Sequence, residues 1–442
     1  MKEEASLIKR RRFPRIFFGW WTVLAGSFIA LWGWGYTTRG MTALFKPIAS
    51  TLGFSRAAVS VPLSIAKLEG SFQVPLAGWL TDRFGPRWVI LTGTFIIGLG
   101  LILMYYIQSL WAYYVVWGVI IGTGSNIALN VPVEKAITNW FVKKRGLAMG
   151  TKWTFSGLSP VLVLPLIAWL ITIQDWRMTY VIGGMVMWLV GLPLAWFFMK
   201  RERPEYYGLL PDGATVEEEA GQMIDKGAEY AAEVQEIEFT LRQAMKTPAY
   251  WLLIVGHASP SMVPGALAIH FVPFLTDIGI NPLRAAVIIA MANAFGLPAR
   301  FASGVIADRI RRDYLRFLLG GTYLLQALGF TIFLLNRSIA MIYVWFILYY
   351  IAQGASLPLN SIVRARYFGR KAFGSIGGSS LMFVAPFGMI APIYAGWVYD
   401  TTGSYIGVFT LVAVLLAIAA VLVSFALPPK PPAQVTDIRK IV

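Results

Sequence analysis

Cysteine is absent from the 442 residues, and histidine occurs only as His257 and His270. Without thiols there is no disulfide, no thiolate nucleophile and no Cys-ligated metal, and two histidines do not build a histidine-rich metal site. Charge is also scarce, at 14% of residues against roughly 25% in an ordinary soluble domain, which excludes a single water-soluble core. No HExxH or GxSxG sequence occurs, and no pair of aspartates sits inside an apolar run. Intramembrane hydrolase or transferase chemistry therefore lacks its equipment, and neither catalytic residues, cofactor nor metal is expected.

The chain is rich instead in apolar length. Hydrophobic residues make up 57% of it and mean hydropathy is +0.63. Apolar runs of the roughly 20 residues that a bilayer span needs recur along the whole sequence, separated by polar knots rich in Arg, Lys, Gly and Pro. Spans are expected near 17–40, 57–80, 87–108, 111–138, 146–172 and 176–199, then near 249–275, 284–307, 315–335, 339–362, 374–399 and 404–427. The expected fold is an all-α membrane protein of twelve transmembrane helices in two six-helix bundles, 17–199 and 249–427. A tail at 1–16, a linker at 200–248 and a tail at 428–442 complete it.

The formal charge of +16 would suggest nucleic acid if the cations were spread evenly. Instead most of the 38 lysines and arginines fall in the tails and the even-numbered loops. That is the positive-inside asymmetry, and it places both termini in the cytoplasm of a cell inner membrane with no nucleic-acid partner. Lys9 to Arg12 followed by Phe13 faintly resembles a twin-arginine export signal, but a full-length span comes next with no small-residue cleavage site. The linker carries eleven of the 22 acidic residues, among them Glu217, Glu218 and Glu219, and reads as solvated. Its stretch from Pro204 to Gly213 is turn-rich, and Phe239 to Lys246 is expected to form a short surface helix.

Internal repetition organises the rest. Gly78-Trp79-Leu80-Thr81-Asp82-Arg83 returns as Gly304-Val305-Ile306-Ala307-Asp308-Arg309, and Arg145-Gly146-Leu147-Ala148-Met149-Gly150 returns more weakly as Arg370-Lys371-Ala372-Phe373-Gly374. The nearly equal offsets indicate a duplicated six-helix unit.

Gly78 to Arg87, with Asp82-Arg83-Phe84-Gly85-Pro86-Arg87 at its end, resembles the loop signature of the major facilitator superfamily. Physically it suits a gating latch. Gly78 permits close helix packing, Asp82 can accept from a neighbouring helix N-terminus, and Arg83 and Arg87 can pair across the halves. Asp308 and Arg309 form the second copy, expected to be less complete because Arg311 stands where Gly85 stands. Phe18-Gly19-Trp20-Trp21, Phe54-Ser55-Arg56, Trp140-Phe141, Asp175-Trp176-Arg177 and the Pro204 to Gly213 stretch together resemble bacterial members of the monocarboxylate-porter and oxalate/formate-exchanger group.

Charges inside spans are the places to look for function, since each is expensive at the bilayer centre. They are Arg39, Lys67, Glu69, Glu134, Lys135, Lys152 and Arg300. Arg300 lies eight residues before Asp308, roughly 12 Å inside the membrane. The resemblance implies that this arginine grips a substrate carboxylate, a bidentate role suited to guanidinium. Arg39 reads either as a second substrate cation, where the porters have a lysine, or as an interfacial snorkelling residue. The porters' aspartate one turn before the helix-eight arginine is replaced by Gly296, and the exchanger's second cation falls near Ser380. One central arginine favours a monoanion.

Titratable groups left for proton coupling are Glu69, Glu134 and His257, the last open to a packed role as well. Glu134 and Lys152 are expected to meet as an ion pair, and Lys135 to snorkel. Tyr343, Tyr350, Gln353 and Asn360 on helix ten could hydrogen-bond a small acid. The expected function is secondary active transport of a small organic anion, first of all a monocarboxylate, by proton-coupled alternating access in a monomer. Anion exchange, efflux of another amphipathic compound, and a transporter-like receptor are the rivals.

Overall fold

The computed structural model describes residues 16–214 and 237–431. Glu217 to Glu219, Lys9 to Arg12, nearly all of the N-terminal tail and most of the C-terminal tail lie outside the described residues. Twelve helical spans are present and no strand occurs among the described residues. Nine of the spans hold helices long and apolar enough by themselves to cross a membrane.

In the first half, α1 covers 18–52, α2 Arg56–Phe84, α3 Pro86–Leu103, α4 110–140, α5 145–173 and α6 176–198. In the second, α7 is Pro248–Asp277, α8 Pro282–Arg309, α9 Leu315–Leu335, α10 Ile339–Phe368, α11 Phe373–Thr402 and α12 Ile406–Ser424. A 30-residue helix such as α7, α10 or α11 is about 45 Å long, more than the roughly 30 Å of a hydrocarbon core, so these helices tilt or project into water.

Two boundaries depart from expectation. Helix α1 does not stop near residue 40: a π-helical turn, Gly35–Arg39, joins Phe18–Trp34 to Met41–Leu52, and the helix ends at Gly53 in the left-handed conformation. Helix α10 continues past 362 to Phe368. Its last turns carry Arg364 and Arg366, a cationic pattern that reads as loop in sequence but is satisfied here by Glu134 of the first half and Asp308 of the second. π-helical turns also interrupt α4 at Tyr114–Ile121 and α6 at Met187–Gly191. Each inserts one extra residue and re-aims the remainder of its helix, which hydrophobic periodicity does not reveal.

The halves meet along α2 with α11 and α5 with α8, with α10 also on α5. Glycines set both main crossings. A β-carbon on Gly78 would fall 2.1 Å from the Gly374 carbonyl oxygen, and one on Gly146 2.1 Å from that of Gly304. The backbones are thus nearly in contact where the two repeated motifs face each other.

The linker's first part is not simply solvated. Tight turns at Pro204–Tyr207 and Pro211–Gly213 bury Glu205 and Asp212. The second expected element is the helix Leu241–Met245, opened by a capping box between Thr240 and Gln243.

Candidate functional site

At the face that carries the linker, the two repeats make matching contacts. Asp82, at the end of α2, accepts from the backbone N–H of Gly374 (3.1 Å) and Ser375 (2.6 Å), at the start of α11. Asp308, at the end of α8, accepts from Gly146 (2.6 Å) and Leu147 (2.7 Å), at the start of α5. Each carboxylate therefore caps a helix of the opposite half, where unpaired N–H groups and the helix dipole both favour an anion. A cation flanks each: Lys135 Nζ stands 2.9 Å from Asp82, and Arg366 3.4 Å from Asp308.

These contacts correct three expectations. The second copy is as fully bonded as the first, because it needs the acid and the glycine crossing rather than a glycine at 311. Lys135 does not snorkel; it is 5% exposed and also donates to the carbonyls of Arg370 and Lys371. Arg83 and Arg87 do not pair across the halves among the described residues. Arg83 lies over Trp79 and Phe84, and Arg87 over Trp196 at 3.9 Å, all within the first half. Arg309 is exposed and makes no ion pair among the described residues.

The linker adds a third set of contacts. Asp212 accepts from the backbone N–H of Val142, Lys143 and Lys144, in the turn between α4 and α5. Glu205 pairs with Arg370 at 3.0 Å, in the turn between α10 and α11. Sequence reading marked this stretch as turn-rich and did not foresee that it ties the two halves' turns together.

Deeper in the bundle, Glu134 of α4 is held by Lys152 of α5 at 3.4 Å and by Arg364 of α10 at 3.7 Å. The Glu134–Lys152 pairing agrees with expectation, whereas Arg364 was missed because α10 was expected to end before it. Lys152 Nζ also sits 3.8 Å over the Trp153 ring. Arg300 is 7% exposed on α8 and donates through Nη1 to the Trp153 carbonyl at 3.2 Å; its Nε has no partner among the described residues. Lys152 lies within electrostatic range of both Arg300 and Arg364, and Arg300 within that of Arg39. Four cations thus share one region with one carboxylate, Glu134. Pro298, inside α8, withdraws a backbone donor and loosens the helix beside Arg300.

The π turn of α1 ends at Arg39, which is exposed, has no ion-pair partner among the described residues, and reaches electrostatically to Tyr350. Tyr343 is 46% exposed and lies about 10 Å along α10 from Tyr350, apart from this region. Gln353 is half-buried with its amide unbonded among the described residues, and Asn360 turns away, accepting from Tyr323. His257 meets the Tyr323 hydroxyl at 3.2 Å, so His257, Tyr323 and Asn360 form one chain inside the second half. With Arg364 and Ser380, His257 and Asn360 line a small enclosed space. Gly296 lies flat on α10: a β-carbon would fall 2.8 Å from the Tyr350 carbonyl, leaving no room for a carboxylate.

Glu69 stands elsewhere, half-buried where α2 meets α4. It accepts from Gln73 Nε2 (3.2 Å) and Thr123 Oγ1 (3.4 Å), and Asn126 donates to Gln73. No cation pairs with it among the described residues, and Lys67 is exposed on another face. The structure brings Arg300, Arg39, Lys152 and Glu134 toward one region, which His257 adjoins through Arg364, but not Glu69 or Tyr343.

A family model described as Major Facilitator Superfamily matches residues 23–385. The chain belongs to that superfamily. The facilitator fold is also that of a solved proton:xylose symporter, XylE bound to 6-bromo-6-deoxy-D-glucose, which superposes with a TM-score of 0.70 over 91% of this chain and 94% of that one at 12% identity. In sequence, this facilitator is 24% identical to monocarboxylate transporter 13 of Rattus norvegicus over 95% of this chain and 91% of that protein. It is 25% identical to the oxalate:formate antiporter of Oxalobacter formigenes over 61% of this chain and 59% of that protein. Multi-pass membrane transport is thus the family's work, and the relatives include carriers of small organic anions.

Proposed function

We propose that this facilitator is a secondary active carrier of a small organic anion, first of all a monocarboxylate, working by alternating access around Arg300. The observation that carries the reading is the excess of cations in one region: buried Arg300 and Lys152 and partly buried Arg364, with exposed Arg39 within electrostatic range of Arg300, against the carboxylate of Glu134, which pairs with Lys152 and Arg364. Buried charge of one sign is unfavourable without a counter-ion, so an anionic guest stabilises an arrangement that is otherwise unbalanced. Arginine suits a carboxylate because its fork donates two parallel bonds. The names of the relatives, monocarboxylate transporters and an oxalate:formate antiporter, point the same way.

Asp82, Asp308 and the glycine crossings serve as the gate in this reading. They bind the halves at the linker face, which the loop charges assign to the cytoplasm, and opening that face breaks both caps. Gly78, Arg83, Arg87 and Arg309 frame the same gate. Glu69 is the proposed proton site, since Glu134 is held by two cations and His257 is tied to Tyr323, whereas Glu69 has only neutral donors around it. The carrier works as a monomer in the inner membrane with both termini cytoplasmic.

The test is uptake into proteoliposomes of radiolabelled formate, lactate, pyruvate and oxalate under an inward proton gradient, for the wild type and Arg300→Ala. Uptake that is lost in the variant and collapsed by a protonophore supports the reading. Carriage of another compound class, unaffected by Arg300→Ala, overturns the substrate assignment. Uptake that needs a trans anion and ignores the gradient makes the protein an exchanger.

A further inference from the structure

Helix α5 faces Arg300 with more than one residue. Trp153, Ser156 and Gly157 stand at i, i+3 and i+4, so they share one stripe of the helix. That stripe meets α8 directly: the Trp153 carbonyl accepts from Arg300 Nη1 at 3.2 Å, and the Thr154 hydroxyl lies 3.5 Å from the Leu297 carbonyl. A β-carbon on Gly157 would fall 1.8 Å from Arg300 Nη1 and 2.7 Å from its Cζ. The guanidinium therefore occupies the volume that any other residue at 157 would fill.

Three donors on this surface are buried and have no hydrogen-bond partner among the described residues: Arg300 Nε, Trp153 Nε1 and Ser156 Oγ. Buried polar atoms in folded proteins are overwhelmingly paired, so three orphans in one neighbourhood mark a place where a partner belongs. Their chemistry is uniform. An indole N–H donates only, a guanidinium N–H donates only, and a helical serine hydroxyl that does not bond its own backbone is free to donate. Lys152, one residue before Trp153 and within electrostatic range of Arg300, adds positive potential. A cation would be repelled by such a set, whereas an oxyanion offers it acceptors and an opposite charge.

We infer that Trp153 and Ser156 are anion-binding residues alongside Arg300, and that Gly157 is a positioning residue that makes room for the guanidinium. The carboxylate oxygens take Arg300 Nε and the Trp153 indole N–H, and Ser156 donates to a second acceptor on the same guest. This inference rests on the reading of Arg300 as the substrate site.

Initial-rate uptake of radiolabelled formate, lactate, pyruvate and oxalate, each alone, tests it in the reconstituted full chain with Trp153→Phe, Ser156→Ala, Ser156→Thr, Gly157→Ala and Arg300→Ala. Trp153→Phe and Ser156→Ala each raise KM about tenfold with Vmax nearly unchanged, the loss expected for one hydrogen bond to a charged guest. Ser156→Thr, which keeps the hydroxyl, stays near wild type. Gly157→Ala loses uptake as Arg300→Ala does, while remaining monodisperse.

If Arg300→Ala abolishes uptake but Trp153→Phe and Ser156→Ala keep the wild-type KM, or lose only Vmax, the inference fails and the substrate reading stands. If Arg300→Ala transports normally, or the wild type carries none of the four acids, both fall together.

Discussion

Arg300 and Glu134 show how much a single side chain decides here. Arg300→Lys keeps the charge and loses the fork, so under the proposed substrate assignment KM for the acid rises about tenfold or more while expression stays normal, read from initial-rate uptake. Glu134→Gln leaves Lys152 and Arg364 buried without their carboxylate. A loss of roughly 3–5 kcal/mol is expected, seen as a marked fall in melting temperature in detergent. Replacing Glu134 and Lys152 together by methionine loses less than the sum of the single changes, because the two buried charges leave together. Glu69→Gln is expected to abolish gradient-driven accumulation while preserving counterflow of the same acid, a separation read by running both assays on one preparation.

Arg300 itself was legible in sequence because its distance from Asp308 fixes its depth. Arg364 was not, since its cation reads as a loop charge until the end of α10 is known. Trp153 and Ser156 looked like ordinary helix filling, and it is their place on the α5 stripe that packs on Arg300 that sets them apart.

At the scale of elements, the segment from Pro204 to Gly213 is the least expected. Asp212 is the sole described residue other than glycine with positive φ, at 59°, and it caps the α4–α5 turn through three backbone N–H groups. The substitutions at 212 should rank in thermostability as Asp, then Asn, then Gly, then Ala. Asparagine tolerates the left-handed backbone and keeps one acceptor, glycine keeps only the backbone, and alanine keeps neither. Equal melting temperatures for Asn and Ala would contradict this account. Twelve spans, their order and the duplicated motif were readable because a membrane imposes length and apolarity on each helix. The π turns in α1, α4 and α6, and the extension of α1 to Leu52, were not, because one inserted residue shifts the helical phase without altering composition.

For the whole molecule, the contact between the halves is reciprocal: each half supplies one capping acid and one receiving helix. Asp82→Asn together with Asp308→Asn should shift the population toward an open linker face, because the charge-assisted bonds, about 1.5–3 kcal/mol each, are weakened on both sides. The natural absence of cysteine makes this measurable, since one engineered cysteine at Ser375 would carry the only thiol and its alkylation rate would report exposure. Unchanged alkylation in the double variant would count against the gate.

Reciprocity also bears on fidelity. In the proposed alternating access, rocking of one half against the other would pull both acids from their helices at once, so the two closing energies would add and their effects on population would multiply. If each cap favours closure about tenfold, the pair favours it about a hundredfold, since every 1.4 kcal/mol is tenfold. A carrier with one such cap would breathe open at one side often enough for ions to slip through without cargo, whereas paired caps make futile leakage the product of two rare events.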